Sequence, residues 1–191
     1  AVAEGIELRT LMAPSAIDVD EKEVRSGGGD DVVDFINYTG RHDEIDTVEA
    51  IRGIGRGLGS AVQAGKSGSA ESYQADFSVQ EYSVIHAVDA SVKEGLDADI
   101  LILGSVVKVD HIDNLRLIIE GYLISAYNYS AKDAKTLAHF ITIYNAVYRG
   151  KIDIFNKKYK SVVLQHLLPS KVGLAVKYSE WPGNTQIVIP L

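Results

Sequence analysis

The sequence predicts an α+β domain in which a small twisted sheet carries a glycine-rich helix, followed by a three-helix unit and a C-terminal β-hairpin. Three observations predict it. Short β-type runs dominate up to residue 107, apolar spacing turns helical from residue 108, and Pro182-Gly183 separates two β-type runs near the end. At 191 residues and 20.7 kDa the chain can fill one core. The expected organisation is a flexible leader at 1–31 and a single domain at 32–191. That domain divides into a sheet-rich half, 32–107, and a helical half plus hairpin, 108–191.

The leader carries Pro14, the acidic run Asp18 to Glu23 and the glycine cluster Ser26 to Asp31, with little periodicity. Asp18 and Asp20 have calcium-loop spacing, but Lys22 and the missing sixth-place glycine break that pattern. Val32 to Tyr38 reads as a first strand. A helix follows, opened by Asp46 with Glu49 as a capping box, with Val48, Ile51, Gly55, Leu58 and Val62 at helical spacing. Gly53, Gly55, Gly57 and Gly59 each cost this helix about 1 kcal/mol relative to alanine. Close approach to a sheet or another helix would compensate. The rival is a phosphate cradle ending in Gly65-Lys66-Ser67, but Ser60 stands where a P-loop needs its first glycine.

Tyr73–Val79 and Tyr82–Val88 read as a hairpin turning at Gln80-Glu81, with a short helix near Ser91–Glu94. Ala98 to Gly104 is a continuous apolar run suited to a central strand covered on both faces. One helix then has Asp113 as cap and Leu115, Ile118, Ile119, Tyr122, Leu123 and Ala126 inward. A second opens at Ser130 with Asp133, turns Leu137, Phe140, Ile141, Tyr144 and Tyr148 inward, and closes at Gly150. The third carries Ile152, Phe155, Tyr159, Val162, His166 and Leu167 and stops at Pro169. Gly173–Tyr178 and Thr185–Ile189 form the last hairpin.

Composition narrows the function. A net charge of −7 without a basic stripe argues against nucleic acid as partner. The absence of cysteine removes disulfides, thiol nucleophiles and thiolate metal sites. No apolar run approaches the ~18 residues of a membrane span, so no membrane insertion of this domain is expected. Ala1-Val2-Ala3 suits either the flank of a removed signal peptide or an arbitrary start.

His42, His86, His111, His139 and His166 have no metal-binding helical spacing, and His139 and His166 read as hydrogen-bonded packing residues. Asp110-His111-Ile112-Asp113 could supply a general base, though capping is the simpler account. Gly57-Leu58-Gly59-Ser60-Ala61 lacks the flanking glycine of a nucleophile elbow. No catalytic, cofactor-binding or metal residue is assigned, and no cofactor is expected. The ten tyrosines, concentrated in the helical half, suit core edges or half-exposed contact surfaces. Tyr127, Tyr129, Tyr148 and Trp181 are the candidate partner contacts.

Phe140 to Gly150 and Trp181 to Leu191 resemble the spirochaetal 83/100-kDa antigen family first known from Borrelia. Phe35 to Gly40, Gly53-Ile54-Gly55 and Asn114 to Leu123 share the likeness, which covers residues 33–191. The resemblance implies a treponemal member and an N-terminal fragment of a longer protein. A charged, coiled-coil region would lie downstream, and the protein would be exported to the periplasm or cell envelope. It carries over no catalytic residues. More loosely, Gly95 to Ser105 resembles small periplasmic α/β domains that bind proteins, although the chain turns helical after Val107.

The leading expectation is a non-enzymatic cell-envelope antigen domain acting in protein–protein interaction or scaffolding, with envelope proteins or its own copies as partner. The alternative is a binding domain for a small ligand or cell-wall fragment in a cleft between the two halves.

Overall fold

The computed structural model describes residues 6–12, 48–65, 71–74, 82–104, 112–175 and 184–191. They form helices α1 (Leu8–Met12), α2 (Val48–Gly65), α3 (Ile112–Tyr127), α4 (Ala131–Val147), α5 (Ile152–Lys158) and α6 (Ser161–Leu164). The strands are β1 (Glu71–Gln74), β2 (Tyr82–Ala87), β3 (Ala98–Leu103) and β4 (Thr185–Pro190). The fold is α+β, as expected. The expected strand at Val32–Tyr38, the Asp46 cap, His42, Lys66, Asp110, His111 and Trp181 lie outside the described residues.

The four strands make one antiparallel sheet in the order β1-β2-β3-β4. β3 is central and its Ala98, Asp99, Ile100 and Leu101 are inaccessible to solvent, which the continuous apolar run predicts. Tyr82, Val84, Leu101, Leu103, Ile187 and Ile189 line one face by alternation and cross-strand register.

α2 and α3 form the tightest helix pair. A Cβ on Gly55 would sit 1.8 Å from the Ile118 carbonyl oxygen, one on Gly59 2.6 Å from that of Tyr122, and one on Gly121 2.2 Å from that of Arg52. The backbones therefore touch where no side chain fits. Helix-against-helix packing thus explains two of the four α2 glycines, because a Cβ on Gly53 or Gly57 meets nothing within 4 Å. Ile51, Ile54, Leu58 and Val62 complete the buried stripe, each worth about 1.5–3 kcal/mol of burial.

Six expectations need correction. Within the leader, residues 6–12 belong to the fold. Ile6 and Leu11 join the core, and the Glu7 amide donates to the Pro190 carbonyl at 2.8 Å. The first hairpin has another register than a two-residue turn at Gln80-Glu81 needs, since Gln74 already pairs with Ser83; Gln80 and Glu81 themselves lie outside the described residues. Ser91–Glu94 is not a helix, because Asp89 accepts from the Ser91 amide at 3.0 Å and from its hydroxyl at 2.6 Å, holding a local turn instead.

Asp113 lies inside the first turn of α3 and pairs with Arg116 at 3.4 Å rather than capping the helix. The expected third helix breaks at Tyr159-Lys160. There the Leu96 amide donates to the Lys158 carbonyl at 2.9 Å and the Lys160 amide to the Leu96 carbonyl at 3.0 Å, a strand-like exchange that a continuous helix forbids. Finally, β4 pairs with β3, and among the described residues Val172 and Gly173 make only isolated bridges to Gln186, while residues 176–183 of the expected hairpin lie outside them. The two halves of the domain therefore share one sheet.

Candidate functional site

Among the described residues, ionisable groups gather at a place inside the fold and in a cleft open to solvent. The interior one begins with register: His86 on β2 stands directly opposite Asp99 on β3, so both side chains leave the same face. Asp99 is wholly buried and a bare charge there would be prohibitive. It is instead saturated. His86 Nδ1 lies 2.5 Å from Oδ1, the Tyr122 hydroxyl donates to Oδ2 at 2.5 Å, and the Tyr127 hydroxyl donates to the same oxygen. Burial first, then the neighbouring carboxylate, pushes both tyrosine hydroxyls far above their usual range, so they remain donors.

The exterior place lies at the seam of the two halves. Arg52 and Arg56 stand four residues apart on α2, Glu120 and Ile124 on α3, and Lys132 and Lys135 on the first turns of α4. The turn between α3 and α4 produces this meeting. Asn128 takes φ 58° and its amide closes on the Ile124 carbonyl at 3.1 Å, which ends α3 and reverses the chain. The Ser130 side chain then accepts from the Asp133 amide at 3.1 Å and starts α4, as its capping spacing predicts.

The resulting cleft holds about 340 Å³. Glu120, 7% exposed, lines it, and among the described residues no side chain donates a hydrogen bond to its carboxylate. Burial raises its pKa above the ordinary value, opposed by the charges of Arg52 and Lys135. Glu49 bridges the arginines, 2.7 Å from Arg52 and 3.0 Å from Arg56, and their hydrogen bonds hold its pKa down. Among the described residues Lys132 and Lys135 make no ion pair.

The candidate contact tyrosines sit elsewhere. Tyr127 is engaged with Asp99. Tyr129 is only 4% exposed and hydrogen-bonds the Ile6 backbone, and burial pushes its hydroxyl up to about 12. Tyr148 is half-buried, its ring 5.1 Å from that of Tyr144 and capped by Lys158 Nζ at 5.1 Å. None of the three is a free surface residue. Nor does His139 pack inward, since it is exposed on α4; His166 is half-buried beside Gln165. Among the described residues no group of three or more His, Asp or Glu could hold a metal ion, and no helix is long and apolar enough to cross a membrane.

A family model described as Borrelia P83/100 protein matches residues 22–191. The chain belongs to that family. The P83/100 match covers the domain and reaches back into the leader, beyond the likeness read from the sequence segments. No curated protein and no solved structure matches the chain.

Sequence reasoning missed both places. An acid inside the apolar run Ala98–Leu103 was a usable signal, because a buried carboxylate demands donors. The cleft offered a weaker one in two cationic pairs at helical spacing, Arg52/Arg56 and Lys132/Lys135.

Proposed function

We propose that this P83/100 member is a non-enzymatic domain of the spirochaetal cell envelope that works by binding, with the cleft between its two halves as the site. The observation that carries this reading is the contrast in charge satisfaction. Asp99 and His86, the groups best suited to proton transfer, are committed to each other, and Asp99 also to two tyrosine hydroxyls within the core. The cleft instead offers Lys132 and Lys135, without ion pairs among the described residues, around a volume typical of small-ligand sites. The test is thermal denaturation with low-mass envelope fractions. Wild type should gain Tm and the Lys132→Glu/Lys135→Glu variant should not; a flat response in both sinks the reading.

Protein contact or scaffolding is the second reading. Val92 and Leu168, 37% and 47% exposed, support it as apolar positions left facing solvent. Cross-linking through those positions in intact cells should recover an envelope protein or a second copy. Recovery of neither would count against it.

A further inference from the structure

We infer that the cleft between α2, α3 and the start of α4 binds a small ligand through an oxyanion, a phosphate or carboxylate group, held between the arginine pair and the lysine pair. The inference rests on the binding reading above and names the chemistry of its ligand. Four cations converge on one cleft in a chain whose net charge is −7, so the local charge opposes the global one. A chain this acidic repels anions in general, and an anion gathered here would be gathered by these residues.

The geometry leaves room for the anion. Lys132, Lys135 and Glu120 all line the cleft, yet among the described residues no ion pair joins them. Opposite charges that close a cleft by themselves would meet; these surround a gap. Arg52 and Arg56 present guanidinium forks suited to bidentate oxygen pairs, and Glu49, well exposed, already occupies part of them as an internal carboxylate. That pairing shows what the forks accept and makes Glu49 a competitor for them.

Glu120 gives the site a second property. It faces Arg52 and Arg56 from α2 and Lys132 and Lys135 from α4, with Asp113 acting on it along its own helix and Glu49 behind the arginines. An anion arriving beside it favours its protonated form, which then donates a hydrogen bond to the ligand oxygen. Binding therefore takes up a proton and weakens as pH rises through the Glu120 titration.

The experiment is calorimetric titration of the whole chain with inorganic pyrophosphate, citrate and glycerol phosphate, alongside sedimentation with phosphatidylglycerol and phosphatidylcholine vesicles. At least one free anion or the anionic vesicle should bind, with Lys132→Glu/Lys135→Glu weakening it more than tenfold at unchanged Tm. Glu49→Gln should tighten binding several-fold, a gain that damaged folding would not produce. Glu120→Gln should retain binding and lose its pH dependence. Binding of free glycerol phosphate identifies a soluble ligand, and binding of phosphatidylglycerol vesicles alone identifies a lipid headgroup. No binding of any probe up to about 10 mM, or binding indifferent to the lysine reversals, overturns the inference. Stabilisation by envelope fractions with no response to these anions would leave the binding reading standing and remove the oxyanion.

Discussion

Asp99 is sealed in the core whereas Glu120, with little exposed surface of its own, lines a cleft open to solvent, and the two acids have opposite surroundings. Asp99 collects three donors from β2 and α3 inside a sheet-and-helix core. Glu120, one residue before the glycine that lets α3 touch α2, collects none among the described residues and only the distant fields of Arg52 and Lys135. Burial alone therefore does not define an acid's role. A carboxylate with its donors in place acts as a tie between elements, whereas one without them is easier to protonate and can then itself serve as a donor.

The harshest way to break this comparison is Asp99→Ala. It strands His86 and two tyrosine hydroxyls in the core and should cost about 3–5 kcal/mol in urea unfolding. A loss below about 1 kcal/mol would mean that the network contributes little. Gly121→Ala attacks the seam that supports Glu120. Its Cβ would lie 2.2 Å from the Arg52 carbonyl, so the helices must separate, at a cost of about 1–3 kcal/mol. Gly57→Ala, where nothing stands within 4 Å, should instead stabilise the helix by up to about 1 kcal/mol, and matching effects at the two sites would refute the packing account.

Asn145 extends the saturated class. Its amide donates to the Val188 carbonyl at 3.0 Å and accepts from the Val188 amide at 2.8 Å, closing the outer edge of β4 as another strand would. Asn145→Ala should cost about 1–3 kcal/mol and speed amide exchange at Val188 above that of Ile187. The smallest effect belongs to Glu120→Gln. A raised pKa means that the folded state binds the proton more tightly, so stability is full below the ordinary value of 4.5 and declines as pH rises through the raised one. The glutamine should give a modest Tm gain at pH 7 and none below pH 4; equal gains at both would show that charge is not the cause.

Local patterns were legible in the chain because they depend on neighbours in sequence. The stripes Ile51–Leu58–Val62 and Leu115–Ile118–Tyr122, the Ser130 cap and the central run at Ala98 are all of that kind. Tight packing was readable from Gly55 and Gly59, though which surface they meet was not. What stayed hidden depends on register and reversal. His86 meets Asp99 only because β2 and β3 pair with that offset, and Lys132 reaches the arginines only because Asn128 turns the chain. The break at Tyr159-Lys160 is equally tertiary. Lys160 Nζ donates to the Asp89 carbonyl at 2.8 Å and meets Asp97 at 3.1 Å, pulling a would-be helix open toward a loop far away in sequence.

The short stretch around Ile6 docks against Pro190, and β3 has no second neighbour until β4 reaches it. During synthesis, the stretch around Ile6 and the strand β3 must both wait for residues 185–190 to be made before they find their places. Folding is thus a closing event with high contact order, and a chain cut before Thr185 would leave β3 as an unpaired apolar edge prone to aggregate.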